Sequence, residues 1–99
     1  MRVISRKKLK EFWGHPNYGD AEQPLKSWYA EVSKAEWDSP ADIKQQYGNA
    51  SILKNNRVVF NIAGNKYRLI VMTSHDYTVC LVRFVGTHQQ YDKINAETV

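Results

Sequence analysis

The sequence predicts an α+β fold, with N-terminal helices packed on a mostly antiparallel sheet, and two observations carry that prediction. Between residues 57 and 93, three runs rich in Val, Ile, Leu, Phe and Tyr are separated by the segments AGNK and SHDY, a composition typical of an antiparallel meander. Before residue 57, apolar residues recur at intervals of three and four, the spacing of amphipathic helices. A chain of 99 residues suits one domain, expected to span residues 1–99.

The first third of the chain predicts a short strand and two helices. The apolar start Met1–Ile4 can add a strand to the sheet, and Ser5 is a good N-cap for a first helix. Gly14-His15-Pro16 stops that helix, and Asn17-Tyr18-Gly19-Asp20 is predicted to form a turn. Pro24 stands in the first turn of the next helix. The second helix has four apolar residues that we expect to face the core: Leu25, Trp28, Tyr29 and Val32.

A third, shorter helix is predicted between the second helix and the meander. Ser39 is suited to cap its N-terminus. The helix is expected to direct Ile43 and Tyr47 inward and to end at Gly48. Residues 49–56 are then predicted to form a loop that leads into the first strand of the meander.

The strands of the meander are predicted to alternate between two faces, and two of them contain an arginine. Gly64-Asn65 supplies the positive-φ residues that a tight hairpin needs. Arg68 opens a strand whose neighbours on the same side are apolar, and Arg83 stands inside the last strand. Strict alternation puts three residues of the last strand on the side of Arg83, namely Val79, Leu81 and Val85. It puts three others on the opposite side, namely Cys80, Val82 and Phe84.

The net charge of +4 is distributed unevenly along the chain. Residues 1–15 carry five bases and one acid, residues 16–43 two bases and six acids, and residues 44–99 seven bases and three acids. The two ends are therefore suited to meet a polyanion, and the middle is suited to water or a basic partner. Solvated faces without any partner would produce the same pattern.

Several classes of function find no support in the sequence. No apolar run approaches the ~20 residues that span a bilayer, and the start lacks a signal-peptide core, so the cytoplasm is the expected location. The one cysteine, Cys80, excludes an internal disulfide and is expected to be a buried core residue. The histidines show no zinc-binding spacing, and the glycines form no phosphate-binding or dinucleotide-binding motif.

The densest group of chemically active side chains follows the last predicted strand, in Thr87–Lys93. On a short helix His88, Tyr91 and Asp92 would share one face, and an imidazole, a phenol and a carboxylate together can move protons. Four cations could neutralise a phosphate beside them: Lys66, Arg68, Arg83 and Lys93. This set fits phosphodiester cleavage that uses the 2′-hydroxyl of RNA and no metal. The alternative is structural, with Tyr91 packed, Asp92 as a cap and His88 exposed.

Two blocks of this region, VVFNIAGNKYRLIV and VRFVGTHQQYDKI, resemble the HigB toxins, a branch of the RelE-like superfamily of bacterial toxin–antitoxin modules. The opening VISRKKLKEF and the helix LKSWY fit the same family more loosely. The resemblance implies a RelE-like fold with a short C-terminal helix or tail, and mRNA endonuclease activity on the ribosome without a cofactor. It also implies a HigA-like helix-turn-helix antitoxin as inhibitor, with operator DNA bound only through the toxin–antitoxin complex.

The resemblance also implies roles for individual residues. Arg68 matches the phosphate-binding strand arginine of the superfamily, and it is therefore expected to stabilise charge in the transition state. His88, Tyr91 and Asp92 fall in the polar C-terminal block that holds the catalytic residues. Either His88 or Asp92 would activate the 2′-hydroxyl, and Tyr91 would orient the nucleotide or donate a proton.

One position departs from the pattern of the wider superfamily. Asn61 stands where relatives have a strand lysine, so Lys66 or Arg57 would have to supply that charge. The cations expected to bind RNA are Arg57, Lys66, Arg83 and Lys93.

The sequence thus predicts an mRNA interferase of a type II toxin–antitoxin module. Two alternatives remain open at this level. One is a non-catalytic nucleic-acid-binding or regulatory module that uses the same basic face. The other is an inactive toxin that only binds its antitoxin.

Overall fold

A computed structural model describes residues 1–99 and contains four α-helices, one 3₁₀ helix and five strands. The helices are α1 (Arg6–Trp13), α2 (Glu22–Ser33), α3 (Pro40–Gln46) and α4 (His88–Tyr91), with the 3₁₀ helix Pro16–Ala21 between α1 and α2. The strands are β1 (Arg2–Ile4), β2 (Ser51–Ile52), β3 (Arg57–Ile62), β4 (Tyr67–Thr73) and β5 (Val79–Thr87). The predicted α+β class is confirmed. None of the helices has both the length and the apolarity that crossing a membrane requires.

The strands form one sheet in the order β1-β5-β4-β3-β2. β3, β4 and β5 are the predicted antiparallel meander, and β1 extends it by pairing in parallel with β5. At the other edge, Ser51 and Ile52 pair with β3, inside the segment that was predicted to be a loop. That prediction was wrong because a pair of residues is too short to show the alternation that marks a strand.

Local sequence sets the helix limits. Ser39 caps α3 as predicted, since its Oγ accepts a hydrogen bond from the Asp42 amide at 3.4 Å. Ser5 occupies the N-cap position of α1, but its side chain makes no capping hydrogen bond. The predicted turn after α1 is a 3₁₀ helix, whose N-cap His15 accepts at Nδ1 from the Asn17 amide at 3.1 Å.

In the β3–β4 connection, the two residues with positive φ angles lie one position earlier in the chain than predicted. Positive φ angles occur at Ala63 (55°) and Gly64 (69°), whereas Asn65 was expected to share this role with the glycine. Glycine adopts such angles without strain, and alanine adopts them only where the surrounding structure requires it.

A β-bulge interrupts the alternation in β5. Ile70 pairs with Phe84 and Val71 with Val82, so that Arg83 has no partner across the ladder. The strand therefore changes phase at Arg83, and Val85 packs against the same core as Val82. The prediction that Val85 shares the side of Arg83 was wrong for this reason.

The main core lies between the helices and one face of the sheet, and it contains 16 buried residues. Trp28 of α2 meets the ring of Phe60 of β3 edge-on, with centroids 5.4 Å apart. Tyr47 meets the same ring with centroids 5.1 Å apart. Tyr47 thus points inward as predicted, although α3 ends at Gln46 and not at Gly48.

The end of the chain contacts the opposite face of the sheet, and residues 92–99 are here called the tail. Ile70 has no exposed surface, although it does not belong to the helix-side core. Above this face, the backbone oxygen of Val99 accepts hydrogen bonds from Arg57 of β3 and Arg83 of β5. The chain end therefore crosses from one outer strand of the meander to the other.

Candidate active site

A capping box fixes the polar segment that follows β5. α4 has only four residues. Thr87 Oγ1 accepts from the Gln90 amide at 3.2 Å, and Gln90 Oε1 accepts from the Thr87 amide at 2.9 Å. These bonds satisfy amides that a helix N-terminus otherwise leaves without partners. Because Thr87 is also the last residue of β5 and pairs with Tyr67, His88 is fixed at the end of the sheet.

His88 lines a cleft of about 520 Å³, here called the α4 cleft. Its walls come from α4, the 3₁₀ helix and the β3–β4 connection. The cleft brings together three of the residues predicted from sequence: Lys66, His88 and Lys93. Aromatic and amide side chains complete the wall, among them Tyr18, Tyr67 and Gln90. An imidazole between ammonium groups can bind a phosphate and exchange a proton beside it.

Lys66 belongs to a network with Asp20 of the 3₁₀ helix and Tyr67 of β4. Lys66 Nζ pairs with one carboxylate oxygen of Asp20, and the Tyr67 hydroxyl donates to the other. The bond from Lys66, and then the bond from Tyr67, lower the pKa of Asp20, while the bond to Asp20 raises the pKa of Lys66. Burial, and then the bond to Asp20, raise the pKa of Tyr67. Around neutral pH the network therefore holds one carboxylate, one ammonium group and one neutral phenol.

The other two residues of the predicted proton-transfer group lie outside the wall of the α4 cleft. Tyr91 ends α4 and is half-buried, whereas Asp92 is exposed. The Asp92 amide donates to the His88 oxygen at 2.9 Å, so the helical geometry predicted for the three residues is present. Only His88 among them faces the cleft.

Arg68 lies on β4 next to Tyr67. Because Tyr67 belongs to the helix-side core, alternation places Arg68 on the opposite face of the sheet. Its Nη1 donates to the backbone oxygens of Asn65 and Tyr67 at 3.3 and 3.4 Å. The guanidinium group is thus held against the connection that carries Lys66, and it does not line the α4 cleft.

Arg57 and Arg83, the other predicted RNA-binding cations, contact the tail. Arg57 is 9% exposed, and its Nε, Nη2 and Nη1 donate to the backbone oxygens of Val99 (3.2 and 2.8 Å) and Asn55 (2.9 Å). With these bonds and so little exposed surface, Arg57 has a structural role in this arrangement. Arg83 donates a single hydrogen bond, to Val99 at 3.3 Å, and stays exposed.

Sequence reasoning missed Tyr18 and Asp20, which it assigned only to a turn. Both belong to the wall of the site or to its ion network. The signal that could have drawn attention to them is an aromatic and an acidic residue within one short polar segment, between two helices. Their partners could not be inferred, because Lys66 is 46 residues further along the chain.

A cleft at the other end of the sheet has the opposite electrostatic character. It has a volume of about 480 Å³ and is lined by Glu36, Asp38 and Asp76 beside Arg2. Hydrogen bonds from Thr78, and then from Ser74, lower the pKa of Asp76 to about 2. These carboxylates would repel a polyanion, so this acidic cleft is a poor candidate site for RNA.

Cys80 is fully buried in β5, as predicted. Burial raises the pKa of its thiol to about 12, which disfavours the thiolate that a nucleophile requires. No group of three or more His, Cys, Asp or Glu side chains is placed to hold a metal ion.

Comparison with known proteins agrees with the resemblance seen in the sequence. Residues 21–94 match a family model described as HigB toxin, RelE-like toxic component of a toxin–antitoxin system. The chain is 26% identical over 98 residues to the mRNA interferase toxin HigB of Escherichia coli, an alignment that covers 97% of this chain and 92% of that protein. The mRNA interferase HigB of Shigella flexneri matches with the same identity and coverage.

Proposed function

The chain belongs to the HigB family of RelE-like toxins, and we propose that it is an mRNA interferase, a ribosome-dependent endoribonuclease that inhibits translation by cleaving mRNA. The observation that carries the proposal is the α4 cleft, in which one imidazole and two lysines line a surface open to solvent. The names of the similar proteins, both mRNA interferases, support the same activity.

The proposed reaction uses the ribose of the mRNA as its nucleophile. The 2′-oxygen attacks the adjacent phosphorus, and the bond from phosphorus to the 5′-oxygen breaks. The products are a 2′,3′-cyclic phosphate and a 5′-hydroxyl. One proton leaves the 2′-hydroxyl and one reaches the 5′-oxygen, so the step consumes no oxidant, reductant or added nucleophile. It calls for proton transfer and for cations around the phosphate, and it requires no metal.

We assign proton transfer to His88, because it is the imidazole in the wall of the α4 cleft and imidazole is the side chain suited to exchange protons near neutral pH. Lys66 and Lys93 would stabilise the negative charge of the phosphorane-like transition state. Arg68 would join them once it leaves its long bonds to the β3–β4 backbone. Tyr91 and Asp92, outside the cleft wall, would orient the nucleotide.

An antitoxin is the partner that membership of a toxin–antitoxin family implies. We propose that this antitoxin is a HigA-like helix-turn-helix protein and that operator DNA is contacted only through the toxin–antitoxin complex. The translating ribosome and its mRNA are the proposed targets, and the cytoplasm is therefore the proposed location.

The proposal is tested by incubating the protein with ribosomes that translate a defined mRNA and mapping new 5′ ends by primer extension. We expect new ends inside codons, with a 5′-hydroxyl, that are absent when the same mRNA is not being translated. If the folded protein produced no new ends on translated mRNA, cleavage would be ruled out in favour of a non-catalytic module.

A further inference from the structure

A second cleft adjoins the α4 cleft and shares one wall with it. This neighbour, here called the α1 cleft, has a volume of about 380 Å³ and lies between α1 and the last part of β5. Tyr18 lines both clefts. The two clefts therefore meet at Tyr18.

Tyr18 belongs to a stack of aromatic rings. Its ring centroid is 4.5 Å from that of Phe12, with an interplanar angle of 5°, and 4.8 Å from that of His15, with an angle of 29°. Phe12 and Tyr18 are half-buried, whereas His15 is exposed. The Tyr18 hydroxyl accepts a hydrogen bond from Gln90 Nε2 at 3.4 Å. The stack is thus linked to α4, the helix that places His88.

The orientation of the His15 ring is fixed by the backbone. Its Nδ1 accepts from the Asn17 amide at 3.1 Å, so the neutral ring carries its proton on Nε2. An exposed ring that is held in place and supported by further rings gives a flat platform at little cost in conformational entropy. Nucleic-acid-binding proteins use such platforms to stack bases.

Charged and apolar side chains around the platform match the other parts of a nucleotide. The α1 cleft contains two cations, Lys8 and Arg83, and one acid, Glu11, which lies 3.9 Å from Lys7. Phe84 supplies an apolar wall. A flat ring, an apolar wall and cations are what a base, a sugar and a phosphate require.

We propose that the α1 cleft is a second nucleotide subsite, next to the one in which cleavage occurs. A base neighbouring the scissile phosphate stacks on His15, and its phosphate lies near Lys8 and Arg83. His15 is a binding residue and takes no part in proton transfer. The inference rests on the proposed function for its position relative to the scissile phosphate. Its chemistry, the binding of single-stranded RNA by stacking and charge, is tested separately.

Two substitutions of His15 separate stacking from its structural role as a cap. His15→Phe keeps an aromatic ring and loses the acceptor for the Asn17 amide. His15→Asn loses the ring and keeps an acceptor of a type that suits an N-cap. The matched control is His75→Asn, which changes an exposed histidine on the β4–β5 turn, at the other end of the sheet.

The probe is a fluorescein-labelled RNA hexamer with a 2′-O-methyl group on every ribose, which cannot be cleaved, and binding is followed by fluorescence anisotropy at low salt. We expect His15→Asn to weaken binding about tenfold, the order of one lost stacking contact. His15→Phe should stay within about threefold of the wild type, as should His75→Asn. Wild-type affinity in His15→Asn, a His15→Phe as weak as His15→Asn, or no binding by the wild type would each overturn the subsite.

Cleavage of mRNA on ribosomes provides the second readout. We expect both His15 variants to keep the wild-type pH profile, and His15→Asn to raise KM with little change in kcat. Loss of a limb of the pH profile in His15→Phe would make His15 a proton carrier and would overturn its role as a stacking platform. If the wild type bound the hexamer through His15 and did not cleave mRNA, the proposed function would fail and the subsite would stand.

Discussion

Arg57 and Arg83 lie on strands that do not pair with each other, and both donate hydrogen bonds to the same acceptor, the backbone oxygen of Val99. β4 separates the two strands, so the arginines reach across it from either side. This arrangement holds the tail over the face of the sheet that the helices leave open. Ile70 is fully buried there, which gives the chain a second apolar contact surface outside the main core.

The two arginines should differ in their effect on stability. Arg57→Met removes a nearly buried guanidinium group that makes three hydrogen bonds to backbone oxygens. We expect it to lower the free energy of unfolding by about 2–3 kcal/mol, since hydrogen bonds to charged groups are among the stronger ones. Arg83→Met, at an exposed position with one such bond, should cost less than ~1 kcal/mol. Urea unfolding measures both, and equal losses would contradict the clamping role of Arg57.

Removing Asp20 should strengthen RNA binding. Asp20→Asn leaves an oxygen that can still accept from Tyr67, but it releases Lys66 from its ion pair. We expect the 2′-O-methyl hexamer to bind a few-fold more tightly at low salt, with a steeper salt dependence because one more cation meets phosphate. Glu22→Gln is the matched control, because it removes the same charge from the Lys26 pair of α2. The same gain in both variants would show a net-charge effect and exclude a role for Lys66.

A methyl group at Gly86 should disturb the site more than the fold. A Cβ at this position would lie 2.6 Å from Gln90 Oε1 and 2.6 Å from Phe84 Cζ, so both side chains must shift. Gln90 Oε1 is the acceptor for the Thr87 amide in the capping box. We expect Gly86→Ala to cost about 1–3 kcal/mol of stability and to slow mRNA cleavage by at least about tenfold, because His88 follows directly on the cap.

Gly48→Ala is the control for this effect, since a Cβ there would have nothing within 4 Å. It should leave both stability and cleavage close to the wild type. A Gly86→Ala protein that folds and cleaves like Gly48→Ala would show that the capping box does not position the site.

The fold could be predicted where the sequence contains a long and regular pattern. The meander could be predicted because its strands are long, apolar and separated by turn residues. The helix α2 could be predicted because Leu25, Trp28 and Val32 recur at helical spacing, and the structure buries all three. The bulge at Arg83, where the side chains of β5 change faces, could not be predicted from the sequence. A bulge leaves the composition of a strand unchanged, so no residue marks its position. The strand β2 was not predicted, because its two residues are recognisable as a strand only through their pairing with β3.

The site could be predicted only in part, because it joins distant segments. The polar block after β5 pointed to His88, and the cations of the meander pointed to Lys66. Tyr18 and Asp20 come from the 3₁₀ helix, and they meet α4 and the β3–β4 connection only through tertiary contacts. The contacts of the tail could not be predicted either. Nothing in the sequence indicated that Arg57 has its hydrogen-bonding groups occupied by the end of the chain.

Arg68 should contribute to cleavage by the same factor at every pH. Its guanidinium group stays charged at all working pH values, and its present bonds to Asn65 and Tyr67 are long. If it stabilises the transition state like one oxyanion donor, Arg68→Ala should lower the single-turnover rate by about 10²–10³. Arg68→Lys should recover only part of the rate, since it keeps the charge without the bidentate geometry. Wild-type rates in folded Arg68→Ala would remove this arginine from the site and leave the α4 cleft intact.

The ion pair beside the α4 cleft should not obscure the effect of His88 on the pH dependence of cleavage. The pKa of Asp20 lies below its ordinary 3.8 and that of Lys66 above its ordinary 10.5. The Asp20 carboxylate therefore protonates only in acid, and the Lys66 ammonium loses its proton only in strong base. Between these limits the pair keeps both charges, so it cannot produce a change of rate around neutral pH.

The most direct measurement is the single-turnover rate of mRNA cleavage on ribosomes from about pH 5.5 to 9, the range in which histidines titrate. It compares the wild type with His88→Gln and with His75→Gln, each shown by circular dichroism to be folded. We predict that His88→Gln lowers the rate by about 10²–10⁴ and removes a pH-dependent limb that His75→Gln retains. A His88→Gln protein with the rate and the pH profile of His75→Gln would contradict the assignment of the α4 cleft as the catalytic site.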